Sequence, residues 1–136
     1  MANFEQIFFD SYQRVLGNNF YNAEFISTFY ECFFSKSPSI ADMFANTNMS
    51  MQKTMLHDSI QEMLEFYKTK QITPRLEQLA KIHGSKGLAV PQEFYDLWVD
   101  SLVEAVSGFD PEFDRQVALA WRLVLAPGVT YINHGG

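Results

Sequence analysis

LEQLAKIHGSKG, residues 76–87, contains the residue that constrains the fold most strongly. Leu76 and Leu79 recur at the spacing of one helix face, and His83 takes the next position on that face. Gly84 follows at once, which is typical of a helix C-terminus. A histidine there has two ordinary explanations, as a cation near the helix C-terminus or as a hydrogen-bonded core residue. The third explanation is that it binds a ligand.

The composition indicates one compact unit. The chain has 136 residues, 47% of them hydrophobic, so we expect a single domain over residues 1–136. The net charge of −6, with no basic cluster, argues against nucleic acid or an anionic membrane as partner. Cys32 is the only cysteine, and the N-terminus lacks the layout of a secretory signal. We therefore expect a cytoplasmic protein.

Helical periodicity runs through almost the whole chain, and no segment shows the period of two that a half-buried strand needs. The sequence therefore predicts an all-α fold of about seven helices. The predicted helices cover residues 4–16, 23–36, 38–44, 49–70, 74–83, 91–109 and 110–132.

Helix boundaries are predicted from capping residues and prolines. Asn48 and Thr73 are predicted N-caps, and Asp110, which precedes a proline, is a third. Pro127 and Gly128 are expected to bend or interrupt the last helix.

Three polar residues lie on otherwise apolar helix faces: Tyr30, Gln52 and His83. Each would cost roughly 1 to 3 kcal/mol if buried without a hydrogen-bond partner. A backbone carbonyl can satisfy a tyrosine, and a glutamine can lie at the edge of a buried face, so each has an ordinary explanation. A shared ligand would satisfy all three. The 13 Phe, 6 Tyr, 2 Trp and 6 Met can fill a core or line a slot for a planar ligand.

Seven short motifs occur in an order that resembles the globin family over nearly the whole chain. They are FYECFF with Tyr30, then Pro38, Phe44, NMSMQKTML with Gln52 and Leu56, LAKIH with His83, FYDLW with Tyr95 and Trp98, and Ala120-Trp121. The chain is similar to bacterial single-domain globins and to the haem domains of globin-coupled sensors. The short distance from Phe44 to Gln52 leaves no room for a separate D helix. The resemblance thus implies a globin fold.

The resemblance also implies a cofactor, haem b (iron protoporphyrin IX). It places His83 as the proximal ligand of the iron, and the carbonyl of Leu79, one turn earlier, is the candidate acceptor for the other ring nitrogen. Tyr30 and Gln52 are placed on the opposite, distal side. Their O–H and N–H groups would stabilise a partially negative oxygen ligand more than carbon monoxide. Neither is a good iron ligand, so the iron is expected to be pentacoordinate.

Further haem contacts follow from the same resemblance. Phe44 is expected to lie flat against the porphyrin, and an apolar wall is expected from Leu56, Val90, Tyr95 and Trp98. The segment between His83 and this wall is one residue longer than in the family pattern. Lys86 can reach a haem propionate, although a solvated surface lysine is the interpretation we favour. His57 is expected in a surface or interhelical role, and His134 in a C-terminal tail.

The implied function is binding of a diatomic gas, namely oxygen, nitric oxide or carbon monoxide. Nitric oxide dioxygenase or peroxidase activity would need an external reductase, because the chain has no flavin or nicotinamide domain. One alternative is a stand-alone gas sensor that acts through a protein partner. Another is a globin-shaped scaffold that has lost haem. The last two helices, with Trp121, can form core or a dimer contact, so the sequence leaves monomer and homodimer open.

Overall fold

Seven helices make up the described part of the chain in the computed structural model, which covers residues 3–17, 22–83 and 91–134, without the side chains of residues 82, 83 and 134. They are α1 (Phe4–Leu16), α2 (Ala23–Ser35), α3 (Pro38–Met43), α4 (Met49–Thr69), α5 (Pro74–His83), α6 (Gln92–Phe109) and α7 (Arg115–His134). No strand occurs within those ranges, so the predicted all-α fold is confirmed. None of these helices is both long and apolar enough to cross a membrane.

Two predicted N-caps form as expected. The Asn48 side chain accepts hydrogen bonds from the amides of Ser50 and Met51 at the start of α4. The Thr73 hydroxyl accepts one from the amide of Leu76 at the start of α5. Because a side-chain oxygen satisfies amides that have no partner inside the helix, these caps define where α4 and α5 begin.

Two predictions about the last helix are wrong. Asp110 does not cap it: α7 begins at Arg115, where the Asp114 carboxylate accepts from the amide of Val117. Asp110 instead ends α6 and accepts hydrogen bonds from distant residues. Pro127 lies inside α7, so the helix is not interrupted there, and the alternative that it bends the helix stays a prediction. The helix also extends to His134, which therefore does not lie in a tail.

A buried polar network explains the position of Asp110. The Arg14 guanidinium donates to Asp110 at 2.7 Å, and the Ser11 hydroxyl donates to the same carboxylate at 2.6 Å. Trp121 then donates from Nε1 to the Ser11 oxygen at 2.9 Å. Burial raises the pKa of Asp110, but these hydrogen bonds hold it below its ordinary value overall. Trp121 is fully buried, which places it in the core.

A glycine lets α7 lie close against α4. A Cβ added to Gly128 would lie 2.5 Å from Cγ, 2.9 Å from Cβ and 3.3 Å from Cα of Met63. Only a hydrogen atom fits in that space. Met63, Val129 and Ile132 line an internal cavity, so this contact forms one of its walls.

Candidate functional site

An internal cavity of about 320 Å³ lies between α2, α3, α4, α6 and α7. Its volume is within the range of ligand pockets, about 300 to 1,000 Å³. The lining is mainly aromatic, aliphatic and thioether side chains, with a few polar groups. The lining residues are Tyr30, Phe33, Met43, Phe44, Thr47, Gln52, Met55, Leu56, Ser59, Met63, Phe94, Tyr95, Trp98, Val129 and Ile132.

Six of the predicted site residues are brought together around this cavity: Tyr30, Phe44, Gln52, Leu56, Tyr95 and Trp98. They come from α2, from the C-terminus of α3, from α4 and from α6. Helical spacing explains the convergence on α4, because Gln52 and Leu56 are four residues apart and share one face.

Tyr30 is the most buried polar group at the cavity, with 4% of its surface exposed. Its hydroxyl donates to the backbone carbonyl oxygen of Gln52 at 3.2 Å. Burial raises the pKa of Tyr30 to about 12, and the side chain of Gln52, as distinct from its backbone carbonyl, partly offsets that effect. The phenol is therefore protonated at neutral pH and is a hydrogen-bond donor.

Aromatic rings hold the Tyr30 side chain in place. Its ring centroid lies 4.8 Å from that of Phe29, 5.6 Å from Phe34 and 6.4 Å from Phe44. Tilted and edge-to-face contacts of this kind are favourable and restrict the ring. The hydroxyl is thus directed toward α4 by packing on three sides.

Gln52 lies between the cavity and a second, more open pocket on the outer side of α4. Thr47, Gln52 and Met55 line both of them. The outer pocket also includes Asp58 and Arg75, whose side chains form an ion pair at 3.1 Å. Gln52 is therefore part of the wall that separates the cavity from the outside.

The α6 wall contains Phe94 as well as the predicted Tyr95 and Trp98. Phe94 is buried, and it lies one turn before Trp98 on the same helix face. Tyr95 is half-buried, and burial raises the pKa of its hydroxyl.

Four predicted site residues are not placed at the cavity by the structure. Lys86 and Val90 lie outside the described residues. The backbone of α5 ends at His83, but the His83 side chain is outside the described part. Leu79 is buried in the core and does not line the cavity. The role predicted for Leu79 concerns its backbone carbonyl, as the acceptor for a ring nitrogen of His83. That role and the role of His83 as iron ligand both stay predictions.

Several lining residues were not singled out from the sequence. Met55, Ser59 and Met63 follow one another at intervals of four on α4, and Val129 and Ile132 come from α7. The spacing on α4 is a usable signal, because it continues the face that Gln52 begins. No local signal marks the α7 residues, since their position depends on how closely α7 approaches α4.

His57 does not line the cavity. Its side chain is 21% exposed, and its Nδ1 lies 3.4 Å from a carboxylate oxygen of Asp58. Its Nε2 is buried and has no hydrogen-bond partner among the described residues. This partly exposed position outside the cavity lining agrees with the predicted surface or interhelical role.

Comparison with solved structures identifies the fold family. The chain is similar to a protein of Pseudomonas aeruginosa PAO1 that is described as structurally highly homologous to a human hemoglobin. The two are 31% identical, the similarity covers 96% of this chain and 95% of that one, and the TM-score is 0.86. This chain belongs to the globin family. No family model matches the globin, and no curated protein matches it.

The globin fold indicates a haem-binding protein, and the described cavity fits that cofactor. A flat, apolar group needs an apolar slot, and most of the lining is aromatic, aliphatic or methionine. The polar groups on the α2 and α4 side, Tyr30 and Gln52, can donate hydrogen bonds to a small ligand. The described cavity therefore has a lining suited to haem.

Proposed function

We propose that this globin binds haem b in the described cavity and uses it to bind oxygen and other diatomic gases. Bound haem would supply a ferrous iron that takes up such gases, with His83 as its protein ligand. The observation that carries the proposal is the convergence of Tyr30 and Gln52 on one apolar cavity in a globin fold.

Phe44, Leu56, Tyr95 and Trp98 would exclude water from the cofactor. All four line the cavity, and the lining around them is mainly apolar. Excluding water strengthens hydrogen bonds inside the cavity, because no solvent competes for the donors. A neutral Tyr30 and the Gln52 amide then stabilise a ligand that carries partial negative charge.

The Tyr30 hydroxyl must change partner to reach a ligand, because it donates to the Gln52 carbonyl. A hydrogen bond to a charged acceptor contributes about 1.5 to 3 kcal/mol, and a neutral one about 0.5 to 1.5 kcal/mol. The exchange leaves a net gain of about 1 to 1.5 kcal/mol, which corresponds to about 5- to 10-fold in oxygen affinity.

The test is oxygen affinity in variants of the haem-loaded globin. Tyr30→Phe should weaken oxygen binding about 5- to 10-fold, while carbon monoxide binding changes little. Gln52→Leu should also weaken oxygen binding selectively. Tyr131→Phe is the matched control, since Tyr131 lies on α7 against Phe66 and does not line the cavity. Equal oxygen affinity in all three variants and the unmodified globin would refute the donor roles, and failure to take up haem would refute the proposal as a whole.

A further inference from the structure

Two hydrogen bonds join α2 to α4 among the described residues, and they lie side by side. The Tyr30 hydroxyl donates to the Gln52 carbonyl at 3.2 Å, and the Lys53 ammonium donates to the Ser27 hydroxyl at 3.3 Å. Ser27 and Tyr30 are three residues apart, so they share a face of α2. Gln52 and Lys53 are consecutive on α4. We call these two bonds the α2–α4 latch.

The side chains of Gln52 and Lys53 point to different sides of the same helix turn. Consecutive helical residues point about 100° apart. Gln52 lines the cavity, whereas Lys53 does not line it and reaches α2. A rotation of α4 about its axis therefore strains the Lys53 contact and moves the Gln52 amide at the same time.

The first turn of α4 is exposed on its outer side. Met51 is 70% exposed, and the link before α4 ends in the exposed Asn48. A side-chain tip lies about 5 Å from a helix axis, so a rotation of about 20° would move it by about 2 Å. A hydrogen bond from Gln52 to a ligand would not survive that displacement.

We propose that Ser27 and Lys53 are positioning residues that set how far the Gln52 amide extends over the cavity. This inference rests on the proposed function, because the group that Gln52 serves is a gas ligand. Lys53 acts through Gln52 and touches no ligand itself. The Tyr30 bond to the Gln52 carbonyl is the inner half of the latch while no ligand is bound, and the Lys53 bond to Ser27 is the outer half, which remains when Tyr30 turns to a ligand.

The test compares four variants. Lys53→Met keeps an unbranched side chain, one heavy atom shorter, and removes the donor, and Ser27→Ala removes the acceptor. Lys53→Arg restores a donor and is the rescue variant. Lys68→Met is the matched control, because Lys68 is an exposed lysine on the same helix and does not line the cavity.

Two readouts apply. In the haem-loaded protein, Lys53→Met and Ser27→Ala should weaken oxygen binding about threefold to tenfold and raise the carbon monoxide stretching frequency, as loss of a nearby donor does. In the chain without haem, hydrogen exchange should become faster at the amides of residues 52–57 in both variants. Lys53→Arg should resemble the unmodified protein in both readouts, and Lys68→Met should show no change.

Each outcome separates the latch from the proposed function. If the chain takes up haem and Lys53→Met behaves as Lys68→Met in both readouts, the latch is refuted and the proposed function stands. If the chain takes up no haem, the proposed function fails, and exchange at residues 52–57 still decides whether the latch exists. Faster exchange with an unchanged stretching frequency would show a structural contact without a positioning role, which also overturns the inference.

Discussion

Replacing Gly128 with alanine tests the close approach of α7 to α4. The added methyl carbon would lie 2.5 Å from Cγ, 2.9 Å from Cβ and 3.3 Å from Cα of Met63. A new rotamer can move Cγ, but it cannot move Cβ and Cα, so the two helices have to separate by several tenths of an ångström. Overpacking of this kind costs about 1 to 3 kcal/mol.

Alanine is also the better helix former, by about 0.5 to 1 kcal/mol, and a control must remove that contribution. Gly108→Ala is that control, because Gly108 is an exposed helical glycine on α6 with nothing within 4 Å of an added Cβ. Gly108→Ala should be neutral or stabilising. The free energy of unfolding, measured by urea denaturation, should be lower in Gly128→Ala than in Gly108→Ala by about 1 to 3 kcal/mol. Equal values in the two variants would refute the close helix contact.

Two further predictions concern the buried network around Trp121. Asp110→Asn should lower the free energy of unfolding by about 1 to 3 kcal/mol at neutral pH, because it removes the carboxylate that pairs with the partly exposed Arg14. The pKa of Asp110 is lowered in the folded protein, so the stability that its carboxylate contributes is present above the unfolded pKa and is lost as the pH falls through the folded pKa. The urea unfolding curves of Asp110→Asn and of the unmodified protein should therefore converge in acid. A difference between them that persists there would contradict the ion pair. Ser11→Ala should lower the free energy of unfolding by about 1 to 3 kcal/mol, because it leaves the Trp121 N–H without its acceptor, and tryptophan fluorescence should change as well. Ser107→Ala, on the exposed face of α6, is the control. Equal unfolding curves for the two variants would exclude the contact between Ser11 and Trp121.

Helix positions were predictable because their causes are local. The amides that start α4 are satisfied by Asn48, which lies within two or three residues of them. Asp110 shows where local reasoning fails. It has the sequence features of an N-cap, yet Arg14, 96 residues away, takes its carboxylate. That ion pair forms only when the fold brings α1 next to the end of α6, and a local sequence pattern carries no information about such a contact.

The candidate site was predictable to the extent that helical spacing and family motifs define it. Tyr30, Gln52 and Leu56 converge as expected because each lies on the inner face of its helix. The acceptor of the Tyr30 hydroxyl was not predictable, because a backbone carbonyl on α4 comes within reach only when α2 and α4 pack.

Haem binding through His83 is tested most directly by titrating hemin into the purified globin and then reducing it, with His83→Gly compared with the unmodified protein. We expect one haem per chain and a ferrous spectrum typical of histidine ligation. In His83→Gly that spectrum should be lost, and added imidazole should restore it by occupying the position of the missing ring. An unaltered spectrum in His83→Gly would refute His83 as the iron ligand, and no haem uptake by the unmodified globin would refute haem binding.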